Sequence, residues 1–246
     1  MNEGGRVTVG VEGQTIEGTI LTPEKLVPGI LFVHGWGGSQ KHDLDRARKI
    51  SRLGCLCFTF DLRGHAATEP QRETVTRGQN LADLLAAYDF LAGQPAVDKS
   101  AIAVVGSSYG GYLAAILTSL RPVNWLALRV PALYRDEDWD IPKAALDRDD
   151  LNTYRQTWLS HSDNRALRAC SKFEGDVLIV ESECDEIVPH PAVGGYTASF
   201  RAARSLTYRM IKGADHALST DKDRAQYNKL LNGWVTTMVL GARMGD

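Results

Sequence analysis

The chain reads as an α/β protein: a mostly parallel central sheet with helices on both faces. Three observations predict this. Short continuous apolar runs recur along the 246 residues and end in glycine or polar residues, as strands buried on both faces do. Segments with helical periodicity lie between them. That alternation is the pattern of crossover connections onto a parallel sheet.

The elements follow in order. Residues 6–12 (RVTVGVE) and 14–21 (QTIEGTIL) alternate apolar and polar around Gly13, which predicts an antiparallel hairpin near a sheet edge. PGILFVHG is the first buried run and CLCFTFDLRG the second. AIAVVGSS, NWLALRV and DVLIVES are the third, fourth and fifth, and LTYRMIKGADH is a sixth. Residues 76–92 place Leu81, Leu84, Leu85, Tyr88 and Leu91 on one helical stripe, with Thr76 and Gln79 as a capping box. A second helix runs from Tyr109 to Leu120 and stops near Pro122. Leu230, Leu231, Trp234, Val235 and Met238 form the apolar face of the last helix.

One connection breaks this rhythm. Residues 131–172 separate the fourth and fifth buried runs, too far for a structureless loop. They carry Tyr134, Trp139, Tyr154, Trp158 and many charges. A small helical lid inserted into a single domain spanning 1–246 is the expectation; a peripheral decoration is the alternative.

Composition narrows the function classes. A formal charge of −2 provides no basic field for nucleic acid. No apolar run approaches membrane-spanning length, and MNEGGRVTVGVEG lacks a signal-peptide pattern, so a soluble, cytoplasmic protein is expected. Cys55, Cys57, Cys170 and Cys184 form no zinc-ligand spacing. Cys55 and Cys57 read as small hydrophobes sharing one strand face. No metal or cofactor is called for, and no feature specifies an oligomeric state.

The chemistry concentrates around VVGSSYGG. Gly106-Ser107-Ser108-Tyr109-Gly110 fits G-x-S-x-G with Ser108 at the centre; Val105 and Tyr109 flank Ser107 at the same offsets and exclude it. A buried run enters the motif and a helix leaves it. A sharp turn there lifts the central side chain off the sheet, and bulky neighbours two residues away would collide. A serine hydroxyl needs a base to take its proton. Of His34, His42, His65, His161, His190 and His216, the last sits in a loop after a late strand, in GADH. His161, His190 and His42 read as solvated. The imidazole needs an acid to hold its tautomer. Asp185, in the turn after DVLIVES, is favoured; Glu183 is the runner-up.

The order Ser108, Asp185, His216 resembles that of the α/β-hydrolase superfamily. HGWGGS at 34–39, DLRGHA at 61–66, GSSYGG at 106–111, CDEIVP at 184–189 and GADH at 213–216 carry the resemblance, which covers nearly the whole chain. Within the superfamily it looks most like dienelactone hydrolases, prolyl-oligopeptidase-type enzymes and small esterases. The resemblance implies an oxyanion hole from the backbone N–H groups of Tyr109 and Trp36. HGWGGS lacks the glycine patterns of a phosphate loop. Asp61 and Arg63 are expected to organise their loop, with His65 a weaker candidate for the pocket wall. Arg129 is a candidate for a substrate carboxylate or a partner for Asp136 or Asp138. Tyr134, Trp139 and Trp158 are candidate substrate contacts.

The expected activity is hydrolysis of a small-molecule carboxylic ester or thioester through an acyl-enzyme. A serine peptidase or amidase of the prolyl-oligopeptidase type is the alternative. A non-catalytic binding protein on the same fold is the third, disfavoured because all three triad residues are present.

Overall fold

The computed structural model describes residues 5–21 and 26–244. Eight strands form one sheet in the order β1-β2-β4-β3-β5-β6-β7-β8. They are β1 (Gly5–Val11), β2 (Gln14–Leu21), β3 (Val27–Val33), β4 (Leu56–Phe60), β5 (Val97–Ser107), β6 (Trp125–Arg129), β7 (Asp176–Ser182) and β8 (Ser205–Ile211). The first two form the expected hairpin, with Val11 opposite Gln14. Glu12 and Gly13 carry φ of 48° and 75°, the left-handed pair that a two-residue hairpin turn demands. β2 runs antiparallel to β4, and every later pairing is parallel.

Helices close both faces. α1 (Lys41–Ser51) and α7 (Asp221–Met244) cover one, where Ile50, Leu231 and Val235 meet Ile30, Phe32 and Val105. The other takes α2 (Arg77–Ala92), α3 (Tyr109–Leu117), α4 (Arg148–Gln156), α5 (Arg165–Cys170) and α6 (His190–Ser199). Thr76 and Gln79 exchange the two hydrogen bonds of a capping box at the start of α2. Cys55 and Cys57 are fully buried beneath α1 and α7. No helix among the described residues is long and apolar enough to cross a membrane.

β8 departs from the expectation of a buried run. It is the edge strand, and its side chains are largely exposed, Leu206 and Met210 among them. An apolar run reports compatibility with burial; edge placement is decided by pairing order, which a single run does not encode.

The connection from β6 to β7 contains a short 3-10 turn (Lys143–Ala145), then α4 and α5. It is pinned to the start of α2. Lys143 N–H donates to the Val75 carbonyl at 2.9 Å, and Pro142 bridges to Thr76. These ties set its first turn beside the C-terminal ends of the parallel strands, where open α/β sheets present their sites.

Candidate active site

Ser108 stands between β5 and α3 with φ 51° and ψ −114°, a strained conformation for any residue with a Cβ. The surroundings impose it. Its N–H donates to the Arg129 carbonyl at 2.8 Å, and its own carbonyl accepts from Tyr112 and Ala132. The flanking glycines are sterically required. A Cβ on Gly106 would lie 2.6 Å from the Gly110 carbonyl oxygen, and one on Gly110 would lie 2.3 Å from that of Val33. The turn therefore packs backbone on backbone and projects the serine side chain outward. Ser107 instead faces Tyr227 of α7.

His216 follows β8 in the loop that turns toward α7. Its ring spans two partners. Ser108 Oγ–H donates to Nε2 at 3.0 Å, and Nδ1–H donates to Asp185 Oδ2 at 2.7 Å. Asp185 is fixed at its other oxygen, which accepts from the Ile187 and Val188 amides at 2.8 and 2.7 Å. Its side chain is 2% exposed and that of His216 19%, so the carboxylate is sheltered while the imidazole opens to the cavity. Glu183, the alternative acid, accepts from the Gly213 amide and braces the same loop from outside.

Arg129 has a different partner from either expected one. Its buried guanidinium donates from Nη1 to the His216 carbonyl at 2.8 Å and lies over the Tyr227 ring. Asp136, one suggested partner, instead accepts from the Arg165 amide. Arg129 ends a central strand and is too deep to reach a cavity ligand; what it holds is the histidine loop.

Two more histidines support the loop after β3. His34 Nδ1–H donates to the Gly35 carbonyl at 2.8 Å, and its Nε2 accepts from the Leu62 amide at 3.1 Å. His65 Nδ1–H donates to the Arg63 carbonyl at 3.1 Å, and its Nε2 accepts from the Gly37 amide at 3.0 Å. Each ring thus ties the 34–38 loop to the 61–65 loop, and each must be neutral to do so. Burial lowers the pKa of both, that of His65 to about 4. Asp61 and Arg63 organise the second loop. Asp61 accepts from the Gln40 backbone and side chain, while Arg63 and Asp83 form a fully buried ion pair at 2.6 Å. Tyr109 joins this network, its hydroxyl donating to Asn80.

A stability prediction follows. Unfolded histidine titrates near pH 6.5, so between about 4 and 6.5 the unfolded chain binds more protons than the folded one, and stability falls as pH drops through that window. The urea midpoint is expected to be lower at pH 5 than at pH 7.5, with a smaller difference in His65→Gln. An equal pH dependence in both proteins would rule out the neutral brace.

Ser108 and His216 open into a cavity of about 780 Å³, whose wall includes Trp36 and Tyr134. Among the described residues, no acceptor takes the backbone N–H of Trp36 or of Tyr109. Trp139 and Trp158 lie outside this wall. Trp139 packs on the Arg165 guanidinium at 3.9 Å, and Trp158 is 62% exposed beside His190. The sequence reading missed Lys143, Arg148 and Arg155, which all line the cavity. Their charges sit in a polar stretch that resembles a solvated surface, and no spacing marks them as convergent.

The sequence profile described as "Alpha/beta hydrolase family" matches residues 30–230. The chain belongs to the α/β-hydrolase family. Among curated relatives, the chain is 36% identical over 109 residues to the Arabidopsis thaliana alpha/beta hydrolase domain-containing protein WAV2, covering 43% of this chain and 34% of that protein. It is 28% identical over 190 residues to an uncharacterised Mycobacterium tuberculosis protein, covering 77% and 63% respectively. It therefore spans about a third of the first relative's length and just under two thirds of the second's. Solved structures share the fold. Dienelactone hydrolase from Anabaena variabilis superposes with a TM-score of 0.69 at 18% identity, covering 95% of this chain and 96% of that one. Est1E from Butyrivibrio proteoclasticus gives 0.68 at 17%, covering 96% and 98%.

Proposed function

We propose that this α/β hydrolase is a serine hydrolase that cleaves carboxylic esters or thioesters through an acyl-enzyme. The observation that carries the reading is the His216 ring, held between Ser108 Oγ and Asp185 Oδ2 at 3.0 and 2.7 Å. In this reading Nε2 accepts the Ser108 proton as Oγ attacks the substrate carbonyl. The carbonyl oxygen takes the negative charge and is stabilised by the N–H groups of Tyr109 and Trp36. The imidazolium then protonates the departing alcohol or thiol as its bond to the carbonyl carbon breaks. Water, deprotonated by the same nitrogen, attacks the acyl-serine and releases the acid. Asp185 stabilises the imidazolium in both halves. The 131–172 connection serves as the lid, with Tyr134 on the pocket wall.

Est1E, which shares the fold, has been solved with ferulic acid bound, so the scaffold accommodates an acid of that size. The test is covalent. A fluorophosphonate is expected to add once per chain, with the adduct mapping to Ser108 by peptide mass. A 4-nitrophenyl ester is expected to turn over far faster than an aminoacyl 4-nitroanilide. Labelling elsewhere would refute the nucleophile assignment; faster anilide cleavage would favour a peptidase.

A further inference from the structure

The cavity beside Ser108 carries more cations than its chemistry uses. Arg72, Lys143, Arg148 and Arg155 line it. Glu73 and Glu186, at exposed positions of the same wall, pair with none of these four among the described residues. Lys143 is the most informative. Its ammonium lies 4.7 Å from the Trp36 ring centre and 5.3 Å from that of Tyr134, with no carboxylate partner among the described residues. Its backbone is anchored to Val75, so the side chain starts from a fixed point. Loss of hydration, then the charges of Arg155, Arg77, Arg148 and Arg72, lower its pKa to about 8, which leaves it mostly protonated at neutral pH.

Arg155 is preorganised in the same way. The residue is 5% exposed, donates to the carbonyls of Leu133 and Ile187, and stacks its guanidinium over Tyr134 at 4.9 Å. Its guanidinium also hydrogen-bonds the Tyr134 side chain, and the residue borders the cavity. Arg72 Nε is buried and without an acceptor among the described residues, while its Nη1 faces Glu69 at 3.8 Å. Lys143, Arg148 and Arg155, like charges with no carboxylate partner among the described residues, repel one another, and the arrangement is relieved when an anion enters. A carboxylate satisfies such donors with charge-assisted hydrogen bonds.

We infer that the ester substrate carries a second, non-reacting carboxylate, which Lys143 and Arg155 hold in the cavity beside Ser108. The inference rests on the serine-hydrolase reading for its reaction but on the cavity wall for its charge. It assigns anion recognition to the β6–β7 connection rather than to Arg129.

Matched ester pairs test it. One pair places the carboxylate on the acyl side: 4-nitrophenyl hydrogen adipate against its neutral methyl ester. The other places it on the leaving group: 4-acetoxybenzoate against methyl 4-acetoxybenzoate. In at least one pair the charged member is expected to win in kcat/KM by roughly 10- to 100-fold, the size of a hydrogen bond to a charged group. Lys143→Met is expected to shrink that ratio at least severalfold, and Lys143→Arg to retain it. The ratio compares two substrates on one protein, so a general loss of folded enzyme does not move it. Neutral members that match the charged ones in both pairs, or a ratio that survives Lys143→Met, overturn the inference.

Calorimetric titration of Ser108→Ala with the adipate half-ester separates the two readings. Tight binding that is lost on adding Lys143→Met, in a protein whose parent turns over no ester, would sink the hydrolase reading and keep this one. Turnover without charge preference would do the reverse. Absence of both binding and preference defeats the carboxylate inference outright.

Discussion

Replacing Ser108 by alanine is expected to lower kcat/KM toward activated esters by at least about 10⁴-fold, the scale seen when a serine nucleophile is removed. Fluorophosphonate labelling should vanish with it. The fold should be retained. Alanine occupies the same φ of 51° with the same Cβ, and the hydrogen bonds that pin the turn all come from backbone atoms. Only the Oγ–H bond to His216 Nε2 is deleted. Steady-state kinetics on protein with unchanged near-ultraviolet circular dichroism is the measurement. Residual activity within tenfold of the parent would mean that another group attacks the ester.

The second large effect is expected from Asp185→Asn. The exchange is nearly isosteric, and the side-chain oxygen can still accept from Ile187 and Val188. What changes is the atom facing His216 Nδ1. An amide NH₂ there donates to Nδ1 and moves the ring proton to Nε2, where it can no longer accept from Ser108. The same exchange in serine proteases costs about 10⁴-fold in kcat with the geometry intact. Glu183→Gln, which touches only the Gly213 amide, is the matched control and should retain most activity. If the two variants lose activity equally, or Glu183→Gln loses more, Asp185 is not the acid.

Much of this site is legible without coordinates, for identifiable reasons. Glycines at 106 and 110 distinguish Ser108 from Ser107 because the steric demand of the turn is local. His216 and Asp185 stand out because each follows a recognisable strand. Tertiary decisions are harder to read. LTYRMI has the composition of a core strand yet lies at the edge. Arg129 ends a buried strand on the active-site side, and only the third dimension shows its guanidinium under the His216 carbonyl. His65, a weaker candidate for the pocket wall in the sequence, has its two ring nitrogens engaged with backbone. Trp139 and Trp158 drew attention as aromatics, while Lys143 and Arg155 reach the cavity from a stretch whose charges look solvated.

The positioning of Lys143, Arg148 and Arg155 has an evolutionary consequence. All three come from one contiguous connection, whereas Ser108, Asp185 and His216 come from three separate strand ends. On the roles proposed above, reaction and selectivity are therefore written in different parts of the gene. Drift within residues 131–172 can retune which acid is accepted while the strained turn and its partners stay fixed. Loops of this kind tolerate insertion and substitution far better than the sheet they decorate. A descendant with a new substrate would be expected to differ from this chain there first, and its reaction chemistry would be inherited unchanged.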